Sequence, residues 1–371
     1  MSIMHDRRMN IVRENMKVLG LSALIVSETA AVWYLTGESI HPGERLTVLV
    51  LQEKGPAFWI RNRLFPLKSG TGWTMAEAKA AGYIADISFE DGEDGMKLLS
   101  DHLPEGKVGV DKVWPSSFLL DLMSRRKDLK FVNGSPAVDM ARAVKDAKEI
   151  GIMRLASNIN DRAMKKISRW ITPGVTEKEC AEKLLAIYKE EGAEGFSFPP
   201  IVSFGAHGAD PHHMPDATPL KRRETVLFDI GCKKDNYCSD MTRTFFFGRP
   251  DEEWVKIHNL VREAGELAES MVRPGIRLSE LDKAARNHIS KGGYGPCFTH
   301  RLGHFIGIRE HEAGEVSLNS EIIAKPGMIF SIEPGVYLPG KFGIRIEDLV
   351  LVTENGCEVL NQADRSWNIS L

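Results

Sequence analysis

The chain has 371 residues, a near-balanced charge (48 Lys+Arg against 51 Asp+Glu, net −3) and an ordinary globular composition. That length exceeds one typical domain and suits two, each with a substantial core. Basic residues do not cluster with interleaved aromatics, which argues against a nucleic-acid partner and leaves a small molecule or a peptide.

The opening MSIMHDRRMN lacks the apolar core of a signal peptide, and no run approaches the roughly 20 apolar residues of a membrane span. The expectation is a cytoplasmic protein without membrane association. Met9, Val12, Met16 and Leu19 recur at helical spacing over His5–Gly20, and a strand follows at Leu21–Ser27. Strands are then expected near Leu46–Leu51, Ala57–Ile60, Ala85–Phe89 and Val108–Asp111, with helices near Met75–Ala81 and Ser117–Arg126. This first part is an α/β domain without a phosphate loop, a nucleophile elbow or a metal-spaced cluster. Its one distinctive phrase, Tyr34-Leu35-Thr36-Gly37, reads on its own as a turn into a strand.

Asn133-Gly134 and Ser135-Pro136 are turn signals, so the domain boundary is placed near Val138, giving domains 1–138 and 139–371. A long charged helix is expected from Ala141 to Trp170. Thr176-x-x-Glu179 is a capping box opening a second helix that ends at Gly192. FPPIVSFG and a histidine-bearing AHGADPHHMPD lead into Val226–Gly248, which reads as a β-hairpin carrying Asp229 and Asp240 on adjacent strands. Carboxylates among Phe228, Ile230, Phe245 and Phe246 need a partner: a basic residue, backbone donors or a metal.

A helix over Asp251–Arg273 follows, then Pro274-Gly275-Ile276 precedes another helix ending at Gly292-Gly293, and the plan repeats. Pro173-Gly174-Val175 is echoed by Pro274-Gly275-Ile276, and Lys221…Asp229-Ile230-Gly231 by Lys325…Glu333-Pro334-Gly335. A second acid hairpin, Met328–Glu333 with Gly343–Val352, carries Glu333 and Glu347 at the matching places. Four carboxylates that converge across a pseudo-twofold axis cannot all ionise unaided, and two divalent cations would balance them. Among eleven histidines, His304 in Gly303-His304-Phe305-Ile306-Gly307 is the best neutral ligand, because its flanking glycines suggest a close backbone approach. His212 and His311 stand where they could line the mouth, whereas His207, His213 and His300 read as bystanders. The five cysteines (Cys180, Cys232, Cys238, Cys297, Cys357) are scattered without a CxxC, and Cys232 and Cys238 read as packing residues.

Taken together, PHH, DIG…YCSDMTRTF, GH-x-IG, IEPGVY and IRIEDLVLV make the sequence resemble the metal-dependent peptidases of the pita-bread fold, closest to the prolidase and aminopeptidase P branch. The resemblance covers nearly the whole chain, and Tyr34-Leu35-Thr36-Gly37 resembles the N-terminal domain of that branch and of creatinase. It implies a creatinase-like α/β domain followed by a pita-bread catalytic domain with an internal repeat, and a homodimer. It also implies two metal ions held by Asp229, Asp240, His304, Glu333 and Glu347, with Asp240 and Glu347 bridging. Manganese is the expected metal, with cobalt, zinc or iron as alternatives. In the same reading Glu333 is the general base, His212 and His311 orient the substrate and stabilise the oxyanion, and Arg345 holds a carboxylate. Arg345 acting only to neutralise neighbouring acids stays an alternative.

The implied reaction is hydrolysis of the Xaa-Pro bond in a dipeptide or short peptide. Release of the N-terminal residue from longer Xaa-Pro peptides, or cleavage of another C–N bond, are the alternatives. Two departures from the family bear on specificity. Phe305 replaces a small residue beside the histidine ligand, which is expected to narrow the pocket. His311-Glu312-Ala313-Gly314-Glu315 replaces HE-x-P-[RK], which puts an acid where a base would hold a substrate carboxylate.

Overall fold

A computed structural model describes residues 3–68, 75 and 84–368, and the chain divides into two compact units, Met1–Arg142 and Ala143–Leu371. The helix expected over Met75–Ala81 lies outside the described residues, Met75 apart.

The first unit is built on a six-stranded mixed sheet in the spatial order Ala85–Phe89, Phe58–Asn62, Thr47–Gln52, Ala23–Val26, Lys107–Val110, Lys130–Asn133. The strands at Ala23–Val26 and Thr47–Gln52 are buried almost throughout, as expected where both sheet faces are covered. Asn133, read from the sequence as part of a turn signal, ends the last strand of this sheet, Lys130–Asn133. Tyr34-Leu35-Thr36-Gly37 is a helix end, not a turn into a strand. Gly37 caps the helix Thr29–Thr36 in the left-handed region (φ 77°), and its N–H bonds Trp33 O.

In the second unit the expected helix from Ala141 is two helices, Pro136–Ala143 closing the first unit and Ala147–Trp170 opening the second. The break comes at Asp146, whose side chain accepts from the Lys148 and Glu149 N–H groups, while Glu149 reaches back to the Asp146 N–H. The rest of the unit is one plan used twice. Helices Ala147–Trp170 and Glu177–Glu190 share a core with strands Ile201–Phe204, Glu224–Ile230 and Met241–Phe247. Helices Glu252–Met271 and Leu278–Lys291 share another with strands Gly303–Phe305, Ile329–Ile332 and Asp348–Val352.

The equivalence reaches single hydrogen bonds. Gly174 N bonds Leu220 O at 2.9 Å and Gly275 N bonds Ala324 O at 2.9 Å. Both glycines sit at φ 87°, a conformation that only glycine adopts without strain. Each half therefore starts from the same Pro-Gly turn clipped to the same point of its own sheet.

Candidate metal centre

Each half brings its two acids to matching ends of its strands, three of the four at a break in the ladder. Asp229 is the last but one residue of strand Glu224–Ile230, and Glu333 directly follows strand Ile329–Ile332. Asp240 directly precedes strand Met241–Phe247, and Glu347 directly precedes strand Asp348–Val352. Three of the four acids thus lie beside strands and not in them, which corrects the picture of two plain hairpins. The Gly343–Val352 strand is interrupted at Ile346-Glu347, and the first hairpin carries a small inner ladder, Cys232–Lys234 with Tyr237–Cys238. At a break the backbone is released from the ladder, so the side chain can turn toward the opposite half.

All eight residues singled out from the sequence (His212, Asp229, Asp240, His304, His311, Glu333, Arg345 and Glu347) line one cavity of about 810 Å³. Asp240, His304 and Glu347 are the tightest group, with one ligand atom from each within 4.8 Å of the others. His304 Nδ1 lies 3.2 Å from Phe305 O and donates to it. That leaves Nε2 as the lone-pair nitrogen, 3.4 Å from Glu333 Oε1 and 3.6 Å from Asp240 Oδ2. Glu347 Oε2 accepts from Thr242 Oγ1 at 2.7 Å, which ties the second half's acid to the first half's strand.

Asp229 is the acid that the structure draws away from this group. Its Oδ2 is 2.6 Å from Arg345 Nη2, and Arg345 also bonds Thr242 Oγ1 (3.1 Å) and Tyr337 OH (2.9 Å). Arg345 is 2% exposed, and each of its three nitrogens makes one of these bonds, the one to Asp229 pairing it with a neighbouring acid. Tyr337 and Thr242 escaped the sequence reading. The phrases IEPGVY and SDMTRTF contain them, but nothing in their spacing marks them.

The electrostatics explain why this centre needs more positive charge than Arg345 supplies. Burial first, and then the charges of Glu347, Asp229 and Glu333, push the Asp240 carboxyl well above its usual range. Glu347 is raised for the same reasons, and Glu333, mostly shielded from solvent and facing Asp229, is pushed up to about 7 against the pull of Arg345. Burial and the neighbouring His311 lower His304 to about 3, so its imidazole is neutral. Asp229 Oδ1, Asp240 Oδ1 and Glu347 Oε1 are buried and accept no hydrogen bond. Unpaired buried carboxylate oxygens are costly. Those of Asp240 and Glu347 stand with a neutral imidazole nitrogen, that of Asp229 lines the same cavity, and together they make a donor set that fits hard or borderline divalent cations.

Both departures from the family pattern find partners elsewhere. Phe305 does not narrow the cavity. Strand alternation turns it away from His304 into the core against Phe330, with ring centroids 5.7 Å apart. Gly314 makes room for it, since a Cβ there would lie 2.6 Å from the Phe305 ring. Glu315 faces Arg301 Nη1 at 3.3 Å and accepts from Ser317 Oγ at 2.7 Å, and it is Arg301 that lines the cavity. His300 also lines the cavity and contacts Tyr337 OH at 2.8 Å. The flanking glycine of His304 serves the fold: a Cβ on Gly303 would lie 1.9 Å from Ser331 O, so the close approach is to the next strand. Cys232 and Cys238 are buried with their thiols against Ala156 O and Ile308 O, consistent with packing.

A two-unit chain with an internally repeated sheet and helix pairs around a carboxylate and imidazole cavity defines a metal-dependent hydrolase. Residues 151–354 match the model of metallopeptidase family M24, and residues 8–144 match the creatinase/prolidase N-terminal domain. The chain is 37% identical over 342 residues to an uncharacterized peptidase of Staphylococcus aureus, covering 90% of this chain and 93% of that one. It superposes on the crystal structure of a prolidase from Thermococcus sibiricus with a TM-score of 0.88 at 34% identity, covering 98% and 99% of the two chains. A dipeptidase from Pyrococcus horikoshii gives 0.87 at 32%, covering 97% and 99%. The chain belongs to metallopeptidase family M24, in its prolidase and aminopeptidase P branch. Among the described residues, no helix is long and apolar enough to cross a membrane.

Proposed function

We propose that the chain is a two-metal peptidase that hydrolyses the Xaa-Pro bond of dipeptides. The observation that carries this reading is the set of three buried carboxylate oxygens without partners in one cavity with His304 Nε2. Solved neighbours that are a prolidase and a dipeptidase support it. Asp229, Asp240, His304, Glu333 and Glu347 would hold the ions, and the oxygen-rich set favours manganese over cobalt, zinc or iron. Bound there, two divalent ions supply charge that activates water and stabilises the oxyanion.

The chain's own groups do the rest. Ser331 Oγ lies 3.2 Å from Glu333 Oε1 and donates to it, leaving Oε2 to take a proton from the attacking water and pass it to the leaving prolyl nitrogen. His311, kept neutral by burial and by Arg301, and the exposed His212 line the cavity and orient the scissile carbonyl. Arg345 is committed to Asp229, so the free carboxylate of the dipeptide falls to Arg301, whose bond to Glu315 leaves other donors available. The resemblance to the family supports a homodimer, and five free cysteines suit a cytoplasmic setting.

One observation favours aminopeptidase action on longer peptides: about 810 Å³ exceeds what a dipeptide fills. A manganese-reconstituted assay of an Xaa-Pro dipeptide, an Xaa-Pro-Yaa tripeptide and a proline-free peptide decides. Fastest turnover of the dipeptide supports the proposal, and preference for the tripeptide replaces it with the aminopeptidase reading. No hydrolysis of any of them with both metals bound would defeat the peptidase chemistry itself.

A further inference from the structure

A second group of ligand-type side chains lies outside the catalytic cavity. Glu177, at the start of helix Glu177–Glu190, is wholly buried, and His207, His213 and Asp216 each place one ligand atom with it within 4.8 Å of the others. His207 Nδ1 is 2.9 Å from Glu177 Oε1 and His213 Nε2 is 2.7 Å from Glu177 Oε2, with ring centroids 4.1 Å apart. Among the described residues, the ion-pair partners of Glu177 are these two histidines, with no lysine or arginine. A buried carboxylate therefore has no permanent positive charge against it.

We propose that Glu177, His207, His213 and Asp216 form a separate zinc site. Two imidazole nitrogens and two carboxylates are a donor set that zinc takes in tetrahedral geometry. Partly exposed His207 and exposed Asp216 give the ion a way in from solvent. Each imidazole N–H now donates a hydrogen bond to Glu177. On coordination that proton passes through solvent to the other ring nitrogen, His207 Nε2 and His213 Nδ1, and the metal takes the place of the two N–H donors facing the carboxylate. Glu177 retains the Phe204 N–H (2.8 Å) and the Asp216 N–H (3.2 Å).

The site would act on the neighbouring cavity through one loop. Gly205–Ala209 is a 3-10 turn whose Gly208 packs so closely on Gly343 that a Cβ on Gly343 would lie 1.7 Å from Gly208 O. Gly343 is on the strand that carries Arg345. The same loop continues to His212, which lines the catalytic cavity. Zinc bound between His207 and His213 clamps the chain on both sides of that segment.

The test uses the full chain carrying Asp240→Asn and His304→Ala, which weakens the catalytic metal centre, with and without His207→Ala and Asp216→Ala. Each protein is equilibrated with zinc in slight excess, desalted and analysed for zinc per chain, and its thermal midpoint is recorded with and without zinc. The expected result is one zinc per chain fewer when His207 and Asp216 are replaced, and loss of the upward shift that zinc gives the parent. Both replaced residues are at least partly solvent-exposed, so a folded protein is expected, and circular dichroism checks it. An unchanged zinc count and an unchanged shift would overturn the proposal. The outcome is independent of peptide hydrolysis.

Discussion

Two groups of histidines and acids sit in the same unit, and their hydrogen bonding differs. In the cavity of Asp229, Asp240, His304 and Glu347 three carboxylate oxygens are buried without a donor, and burial and mutual repulsion push Asp240 and Glu347 far from their ordinary ionisation. Around Glu177 each oxygen has two partners, one backbone N–H and one imidazole. The first group is a destabilised arrangement that calls for cations, which is how function is paid for in a folded chain. The second has both Glu177 oxygens satisfied by hydrogen bonds, so a metal there would add to contacts already made. Neutralising an acid should therefore have opposite effects on stability in the two places.

The largest expected effect is at the first group. In the proposed reading Asp240→Asn removes a ligand and should reduce manganese-dependent turnover beyond the ~10–100-fold cost of losing an outer contact to a ligand. In metal-free protein the same substitution relieves repulsion among Asp229, Asp240, Glu333 and Glu347, and should raise stability by about 1–2 kcal/mol. Assay and thermal melt on the same preparation check both. A loss of stability would mean that Asp240 is not held under strain.

A buried imidazole in neither group sets the background pH response. His258 is fully buried, its Nε2 lies 2.8 Å from Thr244 O, and burial lowers its pKa to about 4. The unfolded chain protonates this ring near pH 6.5 while the folded chain resists until about 4, so its stabilising contribution is full above pH 6.5 and lost as the pH falls through that window. The loss approaches about 3 kcal/mol by pH 4. Denaturant titrations at pH 7 and pH 4.5 should show a smaller acid loss in His258→Gln than in the parent.

Glu177→Gln tests the second group. The amide nitrogen would point donors at donors where Glu177 Oε1 or Oε2 now accepts two, at a cost of about 2 kcal/mol and roughly 4–8 °C in the melting midpoint. A midpoint that rises, as expected for Asp240→Asn, would erase the distinction between the groups.

How much of this could be read in advance depends on the range of the forces involved. The four cavity acids were legible because the repeat writes them twice, and Asp229 with Glu333 and Asp240 with Glu347 fall at matching points of two similar sheets. The N-cap role of Thr176 was legible because capping is local, and Glu179 does bond its N–H. Glu177, between them, was not, because its partners His207 and His213 lie about thirty residues further on and only the fold brings them together. Long range also hid the fates of Phe305 and Glu315. Phe305 is housed by a missing side chain at Gly314, and the charge of Glu315 is answered by Arg301 on the facing stretch of chain.

That last pair gives the smallest and most specific expectation. Glu315 and Arg301 are both partly exposed, and their single contact is 3.3 Å long, so the pair is worth under about 1 kcal/mol. In the proposed reading it restrains the cation that receives the substrate carboxylate. Glu315→Gln should therefore raise kcat/KM for an Xaa-Pro dipeptide by roughly 2–5-fold, mostly through KM, whereas Arg301→Gln should lower it by roughly 10-fold. A dipeptide amide, with no terminal carboxylate, should respond to neither change. If the amide and the free dipeptide fall together in Arg301→Gln, Arg301 shapes the cavity without reading the carboxylate. The acid that replaces the family's base at position 315 would then have no compensation, and the tripeptide would become the expected substrate.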